Sequence, residues 1–164
     1  LAAQSSKLSV ELSDPSDADH LPCVRVCRAD GDWTGLAFHG VPGGHEFNSF
    51  VVGLYNAAGP GQSIDPALAE AIAAIDRPLD LQIVVALSCT MCPELVIAAQ
   101  KIAASNPLVT AKVYDVNHFP ELRERYKIMS VPCLIINKAK VAFGKKTLGQ
   151  LLELLAEPEA GQTG

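Results

Sequence analysis

Residues 86–95 read ALSCTMCPEL. An apolar run, Ile83 to Leu87, leads into the stretch, Cys89 and Cys92 stand two residues apart, and Pro93 follows. Such a pair can grip a metal, staple a fold or carry electrons. Its placement bears on the choice. The segment LDLQIVVAL, residues 79–87, ends apolar throughout, as a strand buried on both faces does. Residues 90–104 carry Leu95, Ala98, Ala99 and Ile102 at helical spacing. The cysteines therefore sit where a buried strand passes into a helix, at the sheet edge where α/β folds place their sites. Cys89 is expected at the helix N-terminus, beside free N–H groups and the positive end of the dipole, which favour thiolate over thiol. Thiolate is the attacking species in disulfide exchange. Cys92, one turn on, is placed to resolve the mixed disulfide. Pro93 falls in the first turn, where its missing N–H has no helical partner anyway.

A structural zinc site usually needs two ligand pairs. The other close pair is Cys23 and Cys27, and on a strand those lie ~13 Å apart, too far to chelate together or to form a disulfide. His20, His39, His45 and His118 fall at no paired spacing. No metal ligand set is expected. Val131-Pro132, ahead of the strand-like CLIIN, adds weight to redox chemistry. A proline entering a strand demands a special backbone state, cis among the options.

Outward from this stretch, the second half reads strand–helix–strand–helix–strand–strand–helix. Strands are expected over LVTAKVYDV, VPCLIIN and KVAFG, and helices over PELRERYKI and TLGQLLELLA. A strand–helix–strand succession implies a right-handed crossover and parallel pairing. The first half alternates at Leu8, Val10 and Leu12, then at CVRVCR and around Leu36 to Phe38, which reads as three strands. A helix follows, with Phe47, Phe50, Val51 and Leu54 at helical spacing. A second, residues 66–76, has Asp65 as N-cap and Pro66 at the first helical position.

Formal net charge is −5 over 164 residues, and Lys138, Lys140, Lys145 and Lys146 are too sparse for a phosphate-tracking groove, so no nucleic-acid partner is expected. No apolar run approaches the ~20 residues of a membrane span. The start, LAAQSSKLSV, has no initiator Met and no signal pattern, which suggests an excised domain and a cytoplasmic, reducing setting. Five cysteines leave at least one without an internal partner.

SCTMCP, then DVNHFPELRERYKIMSVPCLIIN, then the hairpin and TLGQLLELL resemble a thioredoxin/glutaredoxin-type unit. With FHGVPGGHEFNSFVVGLYNAAG upstream, residues 7–156 resemble the N-terminal domain of the alkyl hydroperoxide reductase flavoprotein subunit. The resemblance implies an α/β fold of two tandem thioredoxin-like lobes. Residues 1–77 form the first, incomplete and lacking its opening strand and helix. Residues 78–157 form the second, complete with a mixed four-stranded sheet and flanking helices, and 158–164 a frayed tail.

The resemblance also implies the chemistry. Cys89 is the nucleophile and Cys92 the resolving thiol; Thr90, Met91, Val131 and Pro132 face the substrate. The dithiol takes electrons from a flavoprotein reductase module and passes them to a peroxiredoxin. No GxGxxG follows a strand, so FAD and NAD(P)H are expected only on a partner. Where related thioredoxins keep a buried acid, six residues before the first cysteine, this chain has Ile83. The Glu of GHEF, Glu46, stands in as proton acceptor for Cys92, its pKa raised by desolvation. His45, Trp33, Lys127, Lys145 and Lys146 read as structural or solvated, and Cys23, Cys27 and Cys133 as small core residues. Two alternatives stand beside the relay: a general glutaredoxin-like protein-disulfide reductase, and a non-catalytic docking module with a structural or metal-bound thiol pair.

Overall fold

The computed structural model describes residues 1–17 and 19–158, and a single six-stranded sheet runs through them. Strands β1 (Cys23–Cys27) and β2 (Trp33–His39) form an antiparallel pair. Helices α1 (Glu46–Ala58) and α2 (Pro66–Ala73) follow. Next come β3 (Leu79–Val85), α3 (Cys92–Ser105) and β4 (Val109–Asp115), a crossover unit with β3 and β4 parallel. A short α4 (Glu121–Arg125), the hairpin β5 (Cys133–Ile136) and β6 (Lys140–Phe143), and α5 (Leu148–Ala156) complete the chain. The strand order is β1-β2-β4-β3-β5-β6. The mixed four-stranded sheet expected of the second lobe is its β4-β3-β5-β6 part. Parallel pairing of β2 with β4 prolongs it to six. The expected lobe boundary, after residue 77, falls between α2 and β3.

The apolar end of β3 is buried as its sequence implies. Leu81, Ile83 and Val85 pack with Leu95, Ile102 and Leu151 on one face, while Val84 meets Phe119, Leu122 and Cys133 on the other. Fully burying such a side chain contributes about 1.5–3 kcal/mol, so the strand that leads to Cys89 is firmly anchored in the sheet. Local signals hold the helices. Asp65 accepts a hydrogen bond from the Ala67 N–H at 2.8 Å, with Pro66 opening α2. Thr147 and Gln150 form a reciprocal capping box on α5.

One expected strand is absent. Residues 8–12 form no strand; Val10 and Leu12 are 75% and 98% exposed, because no neighbouring strand offers them a ladder or a face to cover. The buried face of α1 is also not the apolar one. Glu46, Ser49, Gly53 and Asn56 point inward, while Phe47 is exposed and Phe50, Val51 and Leu54 are only half-buried. The reason is close packing on α3. A Cβ at Gly53 would lie 2.7 Å from the Gln100 side-chain oxygen, so bulky residues cannot occupy that contact. Of the expected tail, residues 159–164 lie outside the described residues.

Candidate redox site

Cys89 lies on the turn after β3 and donates its backbone N–H to Ala86 O at 2.9 Å. Helix α3 begins only at Cys92, with Met91 as N-cap, so Cys89 precedes the helix and does not sit within its first turn. The expected helix start, residue 90, is corrected by two residues. Pro93 lies inside the first turn of α3, where its fixed φ suits a helix start, and Cys89 is left in the non-helical turn before Met91. Its sulfur nonetheless reaches the helix end, because Cys89 and Cys92 are joined in a disulfide with Cα atoms 5.6 Å apart. The two sulfurs differ in access. Cys89 is half-buried and Cys92 is 0% exposed. An incoming group meets Cys89 first.

Around the pair, Thr90 and Met91 are exposed, the latter by 52%. Val131 is half-buried and packs, with Leu87 and Cys89, against the core. The Val131-Pro132 bond is cis, Pro132 is buried, and Pro132 O accepts from the Gly144 N–H at 3.0 Å.

The first half of the chain reaches this edge through the loop at residues 41–45. The His45 N–H donates to Leu87 O at 2.9 Å. Gly44 has φ +53°, and a Cβ there would overlap the Leu87 carbonyl. Only glycine lets the loop press this closely on the residue two before Cys89. Helix α1 therefore starts beside α3, and further along Gly53 meets Gln100. Seven residues separate Glu46 from Gly53 and eight separate Cys92 from Gln100, ~10 and ~12 Å of helix. Glu46 and Cys92 thus open two adjacent helices that run in the same direction.

Glu46 is 0% exposed, and neither carboxylate oxygen has a protein hydrogen-bond partner. Burial pushes its pKa up to about 6. The neighbouring Ser49 hydroxyl acts weakly in the opposite sense and makes no hydrogen bond of acceptable geometry. Ser49 Oγ and Gln100 Oε1 are also buried and unpartnered, so a polar seam runs from Glu46 along the α1–α3 contact. Sequence reading missed Ser49 and Gln100. The signal was present as Ser49 and Gly53 on the Glu46 face of one helix.

The remaining cysteines divide. Cys133 is fully buried and burial pushes its thiol up to about 11, which fits a core residue. Cys27 is exposed and Cys23 half-buried, against the expectation of core positions, because β1 is the edge strand. Trp33 is 40% exposed, with its indole N–H on Leu36 O at 2.9 Å. Among the described residues no group of three or more potential metal ligands occurs.

The thioredoxin-domain family matches residues 79–156. The crystal structure of the NTD_N/C domain of alkylhydroperoxide reductase AhpF from Enterococcus faecalis superposes with a TM-score of 0.81 at 40% identity. The match covers 85% of this chain and 67% of that one. This chain belongs to the AhpF N-terminal-domain family. Among curated relatives, the F subunit of the alkyl hydroperoxide reductase of Pseudomonas aeruginosa is 33% identical over 149 residues, 91% of this chain and 28% of that protein. A Bacillus subtilis protein named NADH dehydrogenase is 31% identical over 152 residues, 93% of this chain and 29% of that protein. This AhpF-type chain spans less than a third of those relatives. No helix among its described residues is long and apolar enough to cross a membrane.

Proposed function

We propose that this AhpF-type domain is a dithiol–disulfide oxidoreductase that relays electrons from a flavoprotein reductase module to a peroxiredoxin. The observation that carries the reading is the asymmetric pair, an accessible Cys89 joined to a buried Cys92 at the end of the central strand. Accessibility decides which sulfur a partner attacks or is attacked by, and burial reserves the other for the internal step.

In the reduced state, Cys89 thiolate attacks the partner's disulfide, forms a mixed disulfide and expels one partner thiolate. Cys92 gives its proton to Glu46 and attacks Cys89 Sγ. The Cys89–Cys92 bond forms, the second partner thiol leaves, and two electrons have passed to the partner. At pH 7 a carboxyl of pKa about 6 is mostly ionised and free to accept that proton. Its raised pKa narrows the mismatch with a thiol by about 2 kcal/mol relative to an ordinary carboxylate. Thr90, Met91, Val131 and Pro132 frame Cys89 and meet the partner chain. FAD and NAD(P)H belong to the donor module, and the setting is the reducing cytoplasm.

Rapid mixing of the reduced domain with an oxidised bacterial peroxiredoxin tests this. Transfer should outpace reduction of insulin or of glutathione mixed disulfides by at least tenfold. Equal rates on all three would favour a general disulfide reductase, and no transfer to any would leave a docking module.

A further inference from the structure

A second sulfur site lies on the same carboxyl edge of the sheet, three strands away from β3. Cys23 opens β1 directly opposite His39, the last residue of β2. Cys23 Sγ and His39 Nε2 are 3.7 Å apart. His39 Nδ1 lies 3.0 Å from the carbonyl oxygen of His20. A carbonyl only accepts, so the hydrogen sits on Nδ1 and Nε2 presents its lone pair to the thiol. The ring is held in place, 6% exposed and stacked on Tyr114 with centroids 4.3 Å apart and planes 1° from parallel. Nucleophile, base and orienting group are therefore in sequence, the arrangement that activates a thiol or hydroxyl for attack. Cys27, four residues on and more exposed, has none of it.

A cavity of about 270 Å³ has His39 in its wall; Cys23, 3.7 Å from that ring, is not itself a lining residue. Arg25 and Lys112 line it and also act on the Cys23 sulfur. Arg25 lies over the Trp33 ring, 5.9 Å from its centroid, and Lys112 is paired with Asp80 at 3.0 Å. Asp19 lies in the wall too. Cations and a carboxylate around one small cavity suit a zwitterion, whose carboxylate meets the guanidinium and whose ammonium meets Asp19.

We propose that Cys23 and His39 form a second thiol-exchange site, which takes small disulfides with amino-acid-type zwitterionic ends. As Cys23 Sγ attacks one sulfur of the disulfide RS–SR, His39 Nε2 takes the thiol proton. The S–S bond of RS–SR breaks, Cys23–S–S–R forms, and the leaving RS⁻ takes the proton from His39. The Cys23 sulfur rises from oxidation state −2 to −1, the departing sulfur of RS–SR falls from −1 to −2, and one RSH is released. Burial raises the Cys23 thiol and lowers the His39 imidazole, so the resting pair is neutral and the proton moves only during attack. The site does not depend on the role given to Cys89 and Cys92.

The test uses the chain in its Cys89–Cys92 disulfide form carrying Cys27→Ser, incubated with cystine or with neutral bis(2-hydroxyethyl) disulfide and followed by intact mass. One adduct is expected, at Cys23, formed faster with cystine. His39→Asn should slow it by about 100-fold, the usual contribution of a positioned general base. Arg25→Met should remove the preference for cystine. A Cys23 rate no greater than that of Cys27 in a Cys23→Ser chain overturns the activated thiol, and equal rates with both disulfides overturn the zwitterion cavity. Because His39→Asn can unsettle the Tyr114 stack, ¹⁵N NMR of the unsubstituted chain reads the imidazole independently. Hydrogen on Nδ1 supports the base assignment and hydrogen on Nε2 overturns it.

Discussion

Glu46→Gln removes a charge from a place that has no partner for it, and its effect on stability has a definite pH dependence. The carboxyl is fully buried, its oxygens are unpartnered, and its pKa stands at about 6 against an ordinary 4.5. The folded chain therefore holds this proton more tightly than the unfolded chain. Between those two values the folded state binds more protons, so stability falls as pH rises through the window. The whole effect is about 2 kcal/mol, present as a penalty above pH 6 and absent below pH 4.5. Glutamine keeps the volume and lacks the charge. The variant should match the parent near pH 4 and exceed it by about 1–2 kcal/mol at pH 8, which is ~2–4 °C of Tm per kcal/mol for a chain of this size. Calorimetry of both oxidised proteins from pH 4 to 8 measures the difference directly. A difference that does not change with pH, or a variant less stable at pH 8, refutes the buried, uncompensated carboxylate. The same substitution should slow the internal Cys92 step, so the chain trades stability for a proton acceptor.

Four further outcomes are expected. The pH profile of the internal step in the reduced parent should show a limb near 6, where Glu46 becomes ionised and able to accept, and stopped-flow kinetics of Glu46→Gln should lack it. Cys92→Ser should trap a covalent mixed disulfide with a protein substrate through Cys89, visible by mass, while Cys89→Ser should trap none. Gly44→Ala should lower urea stability by at least about 1–2 kcal/mol, because φ +53° and the Leu87 carbonyl leave no room for a methyl group. Thr147→Ala should cost about 1 kcal/mol through loss of the α5 cap while leaving exchange kinetics unchanged.

The residues explain which parts of this were legible beforehand. Strand β3 announced itself because burial on both faces demands an apolar run, which Ile83 to Leu87 supplies. The cysteine pair was legible because its spacing and its place after that strand coincide. Helix α1 was legible as a helix, but which of its faces is buried was not. Hydrophobic spacing assumes that the apolar stripe faces inward, yet contact with α3 is so close at Gly53 that small and polar residues take the inner face. Leu8, Val10 and Leu12 alternate like a strand but have no partner, and pairing is a property of neighbours that one segment does not encode. The extension of the sheet to six strands and the Cys23–His39 contact were hidden for the same cause. Each depends on which strands lie side by side, which the chain order of β1, β2 and β4 does not reveal.

The role of Cys89 and Cys92 as one two-electron couple is tested most directly by redox titration. The chain is equilibrated in buffers of reduced and oxidised dithiothreitol, alkylated and weighed, with the modified residues mapped. A single two-electron transition should appear, with Cys89 and Cys92 gaining label together as the buffer becomes reducing and Cys23, Cys27 and Cys133 unchanged across it. If Cys89 and Cys92 stay bridged at every poise, or if either one pairs with Cys133 instead, the relay is contradicted.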